Sequence, residues 1–231
     1  MQCTTVFLKN ILLFSLLIFL FSCRPHHAAV ETKSPDGTLK ISVWEEGGKA
    51  FYKVTADEKS IINASTLSFD FKGMTSLDDS FKISNVSRSN HDETWKPVCG
   101  FSSDIRNHYN ESFITFTETS GMKRSFTLIA RAYNDGVAFR YQFPKYNQVD
   151  SLLILAENTH FSFPANDTAW WIPSNEFAYE SLYRKTPLLK MPDANTPLTI
   201  ATQSGFYVSL HEAALYDYSE MTLKRTSEGE F

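Results

Sequence analysis

An imidazole and a carboxylate lie side by side at the end of a predicted strand. Residues 206–210 alternate and are rich in aromatic and β-branched side chains, which favours a strand that runs directly into His211 and Glu212. Such groups are costly to bury unless they are paired, exposed in a cleft or bound to a cation. The pattern therefore leaves two interpretations open: a functional site, or an ordinary strand exit with two solvated side chains.

A second candidate is the polar segment 90–110, which carries Trp95, Arg106 and His108. We interpret it as a long loop, and loops of this length in a compact domain are usually functional or cover another surface. Trp95 offers an aromatic face on which a ligand could stack, and Arg106 and His108 offer hydrogen bonds to its polar groups, so these three are candidate substrate-binding residues. Alternatively, Arg106 and His108 pair with Glu111 in a purely structural cluster.

The elements that must position these residues are predicted to be antiparallel strands. Residues 39–43 alternate apolar and polar side chains, 46–49 supply a hairpin turn and 51–55 return. Asn134-Asp135-Gly136 is a second hairpin signal, between strands at 124–132 and 137–143. Further strands are predicted at 67–71, 81–86, 113–118, 152–155, 160–163 and 198–201. The chain is therefore predicted to be all-β.

Trp170 and Trp171 are followed at once by Ile172 and Pro173. Because proline has no N–H for a strand ladder, this stretch is not expected to form a long central strand. We interpret the aromatic side chains of residues 168–184 as a cover over the edge of a β-sandwich, with a platform for stacking a ligand as the alternative.

Composition limits both the fold and the partners. A chain of 231 residues suits one large all-β domain or two small ones. The hydrophobic share of 42% is sufficient for a core, and the aromatic share of 14% favours strands. A formal net charge of -4 leaves no basic footprint, which argues against a nucleic-acid partner.

The first 23 residues have the features of a signal peptide. The apolar run at 11–21 is shorter than the ~20 residues that span a bilayer, and it ends in Leu20-Phe21-Ser22-Cys23, which is similar to a lipobox. We expect Cys23 to be lipidated and residues 24–33 to form a tether, in an exported lipoprotein of the periplasm or outer membrane. Ordinary cleavage near Ala28-Ala29 is the alternative.

The sequence shows no motif that is typical of a catalytic nucleophile. The sequence contains no G-x-S-x-G, P-loop, dinucleotide fingerprint or Cys-x-x-Cys, and its carboxylates form no recognisable catalytic pair, so no catalytic residue is assigned. Cys99 is the one thiol beyond the signal region, which excludes an internal disulfide in the mature chain. We expect Cys99 to be a packed thiol.

Several motifs in order resemble one known family. They are DETWKPVCG, IRNHYNE, RAYNDGVAFRYQFP, AWWIP and HEAALYDY. The chain from Ser34 to Leu223 is similar to the N-terminal domain of glycoside hydrolase family 97, a family of bacterial α-glucosidases and α-galactosidases. The resemblance implies that 34–231 form an antiparallel β-supersandwich of the galactose-mutarotase-like kind. It also implies that the chain is truncated before a catalytic (β/α)8 barrel that carries the acid and base.

The resemblance further implies a calcium ion in the active site, with Glu212 as the one ligand from this domain. Calcium takes six to eight oxygen ligands, so the barrel would supply the others. His211 is not assigned, because calcium does not favour imidazole. The substrate would be an α-linked oligosaccharide, and docking against the barrel is a second explanation for segment 90–110.

A different class of function is also compatible with the sequence: a free-standing carbohydrate-binding surface lipoprotein without catalysis. The abrupt end of the chain at Phe231 favours a truncated glycosidase. The reading frame after Phe231 would discriminate between the two.

Overall fold

Antiparallel sheets make up the whole regular architecture that the computed structural model describes, which comprises residues 28–145, 151–163, 167–175 and 179–226. Within these ranges there are four sheets, one 3-10 turn at Leu188–Lys190 and no α-helix. None of the described helical segments is long and apolar enough to cross a membrane. The all-β antiparallel prediction is confirmed, and the predicted signal peptide with Cys23 lies outside the described residues.

The first sheet is a meander of four strands in chain order. They are β1 (Val30–Lys33), β2 (Leu39–Glu46), β3 (Lys49–Ala56) and β4 (Lys59–Leu67). The predicted turn at 46–49 is confirmed, because Glu46 pairs with Lys49 across two glycines with positive φ. Strand β1 occupies the end of the predicted tether, since Val30 and Thr32 are buried against β2.

A second meander carries the longest strands. It contains β6 (Phe81–Trp95), β7 (Ile105–Glu118), β8 (Ser125–Ala132) and β9 (Val137–Gln142), again in chain order. The predicted hairpin at 134–136 is confirmed, with the Tyr133 N–H donating to the carbonyl of Gly136. The short strands β5 (Phe69–Phe71) and β10 (Ile154–Glu157) form a separate two-stranded sheet.

The last sheet corrects the interpretation of the Trp170-Trp171 stretch. It contains β11 (Thr168–Pro173), β12 (Arg184–Pro187), β13 (Ala194–Ala201), β14 (Tyr207–Leu210) and β15 (Thr222–Leu223). Strand β11 is an interior strand between β12 and β13, and Trp171 is 2% exposed. For Trp171 the predicted aromatic cover is therefore wrong, because this side chain is in the core. Pro173 is the last residue of the strand, where its missing N–H interrupts no ladder.

Aromatic side chains fill the core between the sheets. Phe69 contacts Tyr141 edge to face at 4.6 Å, and Phe126 contacts Phe81 in the same geometry at 5.4 Å. Phe116 stacks on Phe126 at 5.2 Å. Each such pair contributes about 0.5–1.5 kcal/mol beyond the burial of the rings. The sequence's many phenylalanines thus join β5 to the second meander.

A buried ion pair closes the turn between β7 and β8. Arg124 and Glu118 lie 2.5 Å apart with side chains only 5% and 10% exposed. The Arg124 guanidinium also donates to the carbonyls of Thr75 and Ser76, at 2.7 and 2.9 Å. This one side chain therefore ties the β5–β6 connection to the second meander.

The buried hydroxyl of Tyr52 predicts how the stability of the domain changes at alkaline pH. Its hydroxyl donates to the carbonyl of His160 at 2.7 Å, and burial raises the pKa of Tyr52 well above its ordinary value. Folding therefore favours the protonated form, so this stabilisation is complete below about pH 10, the pKa of an unfolded tyrosine, and is lost as pH rises further. Tyr52→Phe should cost about 1 kcal/mol at neutral pH.

Urea unfolding of the wild type and of Tyr52→Phe at a series of pH values measures this contribution of Tyr52 to stability. The free energy of unfolding should fall above about pH 10, and it should fall less steeply in Tyr52→Phe than in the wild type. Buried Tyr141, whose pKa is also raised by burial, should preserve part of the slope in the variant. Identical slopes in both proteins would contradict the assignment.

Candidate functional site

The segment with His211 and Glu212 is a loop that connects β14 to β15, and both of these short strands pair with β13. Leu210, the last residue of β14, pairs with Leu198, whereas Thr222, the first residue of β15, pairs with Asn195. The interval on β13 contains Pro197, which has no N–H to offer to a ladder. We name residues 211–221 the Glu212 loop, and its two ends are fixed close together on one strand.

Glu212 is half-buried, and it closes the base of this loop. Its Oε2 atom accepts a hydrogen bond from the Met221 N–H at 3.0 Å. Its Oε1 atom accepts none from the part of the chain that the structure describes. The His211 side chain is exposed, with Nδ1 at 3.1 Å from the carbonyl oxygen of Glu212. The loop therefore presents one carboxylate oxygen that is available to a ligand.

A second carboxylate contacts the loop from β10. The Tyr218 hydroxyl donates to Glu157 Oε2 at 2.8 Å, and the Thr159 hydroxyl donates to Glu157 Oε1 at 2.8 Å. The Thr159 hydroxyl also lies 2.6 Å from that of Tyr141 on β9. This hydrogen-bonded chain links the Glu212 loop to the second meander, and sequence reasoning had not identified it.

The surroundings of Tyr218 favour the protonated form of its hydroxyl. Partial burial raises the pKa of Tyr218, and the hydrogen bond to Glu157 together with the negative charges of Glu157 and Glu212 raises it further. The Tyr218 hydroxyl is therefore a hydrogen-bond donor throughout the neutral range, and both carboxylates lie close enough to act on it.

The donor set around Glu212 fits part of a calcium site. Calcium takes six to eight oxygen ligands, and a carboxylate supplies one or two of them. Among the described residues, no group of three or more histidine, cysteine or acidic side chains could hold a metal ion. A complete calcium site at Glu212 would therefore need further oxygen ligands from outside the described residues.

The polar segment 90–110 is not a long loop, so that prediction is wrong. Strands β6 and β7 pair as far as Trp95 and Ile105, and only residues 96–104 connect them. Strand β8 pairs with β7 only as far as Asn110, so residues 91–95 and 105–109 form a two-stranded extension, here called the arm. Most of its side chains are exposed on both faces, which removes the apolar alternation that marks a strand in sequence.

The three predicted substrate-binding residues all lie on the arm but do not share one face. Arg106 and His108 are two positions apart on β7, whereas Trp95 lies opposite Ile105 and projects from the other face. Trp95 is 49% exposed. Arg106 donates to both carboxylate oxygens of Asp92, at 2.8 and 2.7 Å.

The predicted cluster of Arg106, His108 and Glu111 does not form. Glu111 is buried and accepts from Arg131 Nε at 2.5 Å and from the Ser89 hydroxyl at 3.1 Å. Arg131 on β8 therefore pairs with a buried carboxylate of the neighbouring strand β7. Arg140 on β9 is exposed and has no ion pair with any residue in the described ranges.

The end of the arm is apolar and exposed. Val98 and Phe101 are fully exposed, and Trp95 and Ile105 are partly exposed. Cys99 is exposed as well, so the expectation of a packed thiol is wrong. The residues missed by sequence reasoning here are the cross-strand partners, such as Asp92, which the strand register alone brings into contact.

Comparison with known proteins gives consistent matches along the chain. The family described as Glycosyl-hydrolase 97 N-terminal matches residues 32–230. A retaining alpha-galactosidase of Bacteroides thetaiotaomicron is 28% identical over 212 residues, which cover 85% of this chain and 30% of that protein. The chain therefore spans about a third of the length of its relatives.

Solved structures agree with this match. A glycoside hydrolase family 97 enzyme from Pseudoalteromonas sp. strain K8, in complex with panose, is 33% identical with a TM-score of 0.84 over 87% of this chain and 31% of that one. A beta-arabinopyranosidase is similar in fold alone, with 21% identity and a TM-score of 0.80 over 87% of this chain and 34% of that one.

Proposed function

Because the chain belongs to the glycosyl-hydrolase 97 N-terminal family, we propose that it is the N-terminal domain of an α-glycosidase that acts on α-linked oligosaccharides. Its role is to wall the active site of a catalytic region and to supply Glu212 as one calcium ligand. The observation that carries this proposal is the Glu212 loop, which presents a half-buried carboxylate with one oxygen free of described partners.

The substrate class rests on the relatives. Panose and acarbose are bound in two structures of the Pseudoalteromonas enzyme, and the Bacteroides relative is named a retaining alpha-galactosidase. We therefore infer an α-linked oligosaccharide as the substrate class, because it agrees with these bound ligands and with an alpha-galactosidase. The specificity-determining contacts would come from the catalytic region together with this domain.

Glu212 is suited to hold calcium, whereas His211 is not, because hard cations prefer oxygen to imidazole nitrogen. When bound, the ion would act as an electrophile that stabilises charge on sugar oxygens. The domain's own contribution is to hold the Glu212 carboxylate in place, since the Met221 N–H fixes Oε2 and leaves Oε1 available.

The catalytic acid and base belong to the catalytic region in this proposal. Glycoside hydrolysis needs two carboxyl groups placed across the scissile bond. Glu157 is poorly suited, because both its oxygens already accept hydrogen bonds, from Tyr218 and Thr159. Glu212 is committed to the metal.

The purified 231-residue chain provides the first test. It should not hydrolyse p-nitrophenyl α-glucoside or α-galactoside, with or without calcium, whereas an enzyme that joins it to a catalytic region should. Turnover by the chain alone would overturn the proposal. Tight binding of panose to the chain alone in calorimetry would instead favour a free-standing carbohydrate-binding module.

We also propose that Cys23 is the lipidated N-terminus of an exported protein, anchored in a bacterial membrane by lipid alone. Two or three acyl chains anchor firmly, whereas a single chain gives only marginal binding. Mass spectrometry of the mature protein should find lipid mass on Cys23. A mature N-terminus at or after Ala29, without lipid, would contradict this assignment.

A further inference from the structure

The Glu212 loop has little regular structure, yet its shape decides where the Glu212 carboxylate points. Leu215 and Tyr216 are exposed, so hydrophobic burial does little to fix it. Besides the local contact of His211 Nδ1 with the Glu212 carbonyl oxygen, two side-chain hydrogen bonds of the described residues hold the loop. One joins Glu212 to Met221 at the base of the loop, and the other joins Tyr218, near its far side, to Glu157.

We propose that Glu157 and Tyr218 form a latch that positions Glu212, which makes them positioning residues for the metal-ligand carboxylate. This inference rests on the proposed function, because it assumes that Glu212 is the functional group of the loop. Glu157 lies on β10 and Tyr218 on the loop, so the latch attaches the loop to a different sheet from the one that it leaves.

The anchor side of the latch is well supported. Glu157 pairs with Phe69 in the β5–β10 sheet, and the Thr159 hydroxyl holds its second oxygen. Thr159 is in turn hydrogen-bonded to Tyr141, whose ring packs against Phe69 at 4.6 Å. Glu157 is therefore held in place by contacts that do not involve the loop.

On the loop, the backbone at Asp217 precedes the residue that contacts Glu157. Asp217 adopts a left-handed conformation with φ of 50°, which aspartate tolerates better than most residues. The next residue, Tyr218, thereby reaches Glu157 with its hydroxyl at 2.8 Å. The hydroxyl donates to a charged acceptor, and such hydrogen bonds are the stronger kind. Opening this contact would release the far side of the loop and leave Glu212 held only at its base.

Amide hydrogen exchange in the purified 231-residue chain tests the latch without any metal. Tyr218→Phe removes one hydroxyl, and Glu157→Ala removes its acceptor. Both should accelerate exchange across residues 211–221, including the Met221 amide, by about tenfold, because opening of the loop becomes more favourable. Glu157→Gln keeps an acceptor oxygen and should restore most of the protection.

Tyr216→Phe is the matched control, since the Tyr216 hydroxyl is exposed and has no hydrogen bond to any described residue. Exchange in this variant should equal that of the wild type. If Tyr218→Phe exchanges no faster than Tyr216→Phe, the latch does not exist and the inference fails.

A second readout separates this inference from the proposed function. In an enzyme that includes the catalytic region, Tyr218→Phe should weaken calcium binding in calorimetry about threefold to tenfold, less than Glu212→Gln does. Unchanged affinity in Tyr218→Phe, with a clear loss in Glu212→Gln, would show that the latch does not position the ligand. If Glu212→Gln itself has no effect, the proposed function fails, and so does the positioning role, whatever the exchange rates.

Discussion

Glu212→Gln, in an enzyme that joins this domain to its catalytic region, should weaken calcium binding first and then lower hydrolysis by one or more orders of magnitude. The change keeps the shape of the side chain and its bond with the Met221 N–H, but it removes the negative charge that attracts the cation. Each tenfold loss in rate corresponds to about 1.4 kcal/mol of transition-state stabilisation. Excess calcium should restore part of the activity by mass action.

The measurement is calcium affinity by calorimetry together with initial rates after chelation and stepwise return of calcium. Glu220→Gln is the matched control, because Glu220 is an exposed carboxylate of the same loop without a described partner. It should behave like the wild type. If the Glu212 variant recovers full activity at the same limited calcium concentration as the wild type, the assignment of Glu212 is wrong.

Arg124→Met should lower the free energy of unfolding by about 3–5 kcal/mol. The variant leaves Glu118 as a buried charge without its partner, and the Thr75 and Ser76 carbonyls lose their donor. Urea unfolding followed by tryptophan fluorescence gives the value directly, with the slope of the transition as a check on two-state behaviour.

Two further variants make this prediction specific. Arg106→Met removes an exposed pair with Asp92, at 60% and 50% exposure, and should cost no more than about 1 kcal/mol. Combining Arg124→Met with Glu118→Leu removes both buried charges and should recover part of the loss. Equal costs for Arg124→Met and Arg106→Met would show that burial is not the cause.

The strands that sequence predicted well are those whose turns are local. The glycine pair at 47–48 and the Asn-Asp-Gly turn at 134–136 each fix a hairpin by themselves, so neighbouring strands follow from turn chemistry. The arm was missed because a ribbon that is exposed on both faces has no apolar face to reveal it. Strand β11 was missed because Pro173 argued against a central strand, whereas Pro173 is the last residue of a short one.

The candidate site was predictable only in part. Glu212 could be assigned through family resemblance, because its own surroundings are a polar strand exit like many others. The Glu157–Tyr218 contact spans 61 positions, and no spacing rule connects a short strand to a loop so far along the chain. Likewise, Arg124 reaches Thr75 across 49 positions, so its role emerged only from the packing of the β5–β6 connection against the second meander.

The separation in sequence of β5 and β10 has a consequence for the order of folding. Asp70 and Asn158, which bond across this small sheet, are 88 positions apart, whereas each meander closes only short turns. Long loop closures cost chain entropy before any contact repays it, which slows the pairing of distant segments. We therefore expect pulse-labelled amides of β10 to gain protection after those of β2 and β7. The Glu157 side of the proposed latch would then form late as the chain folds.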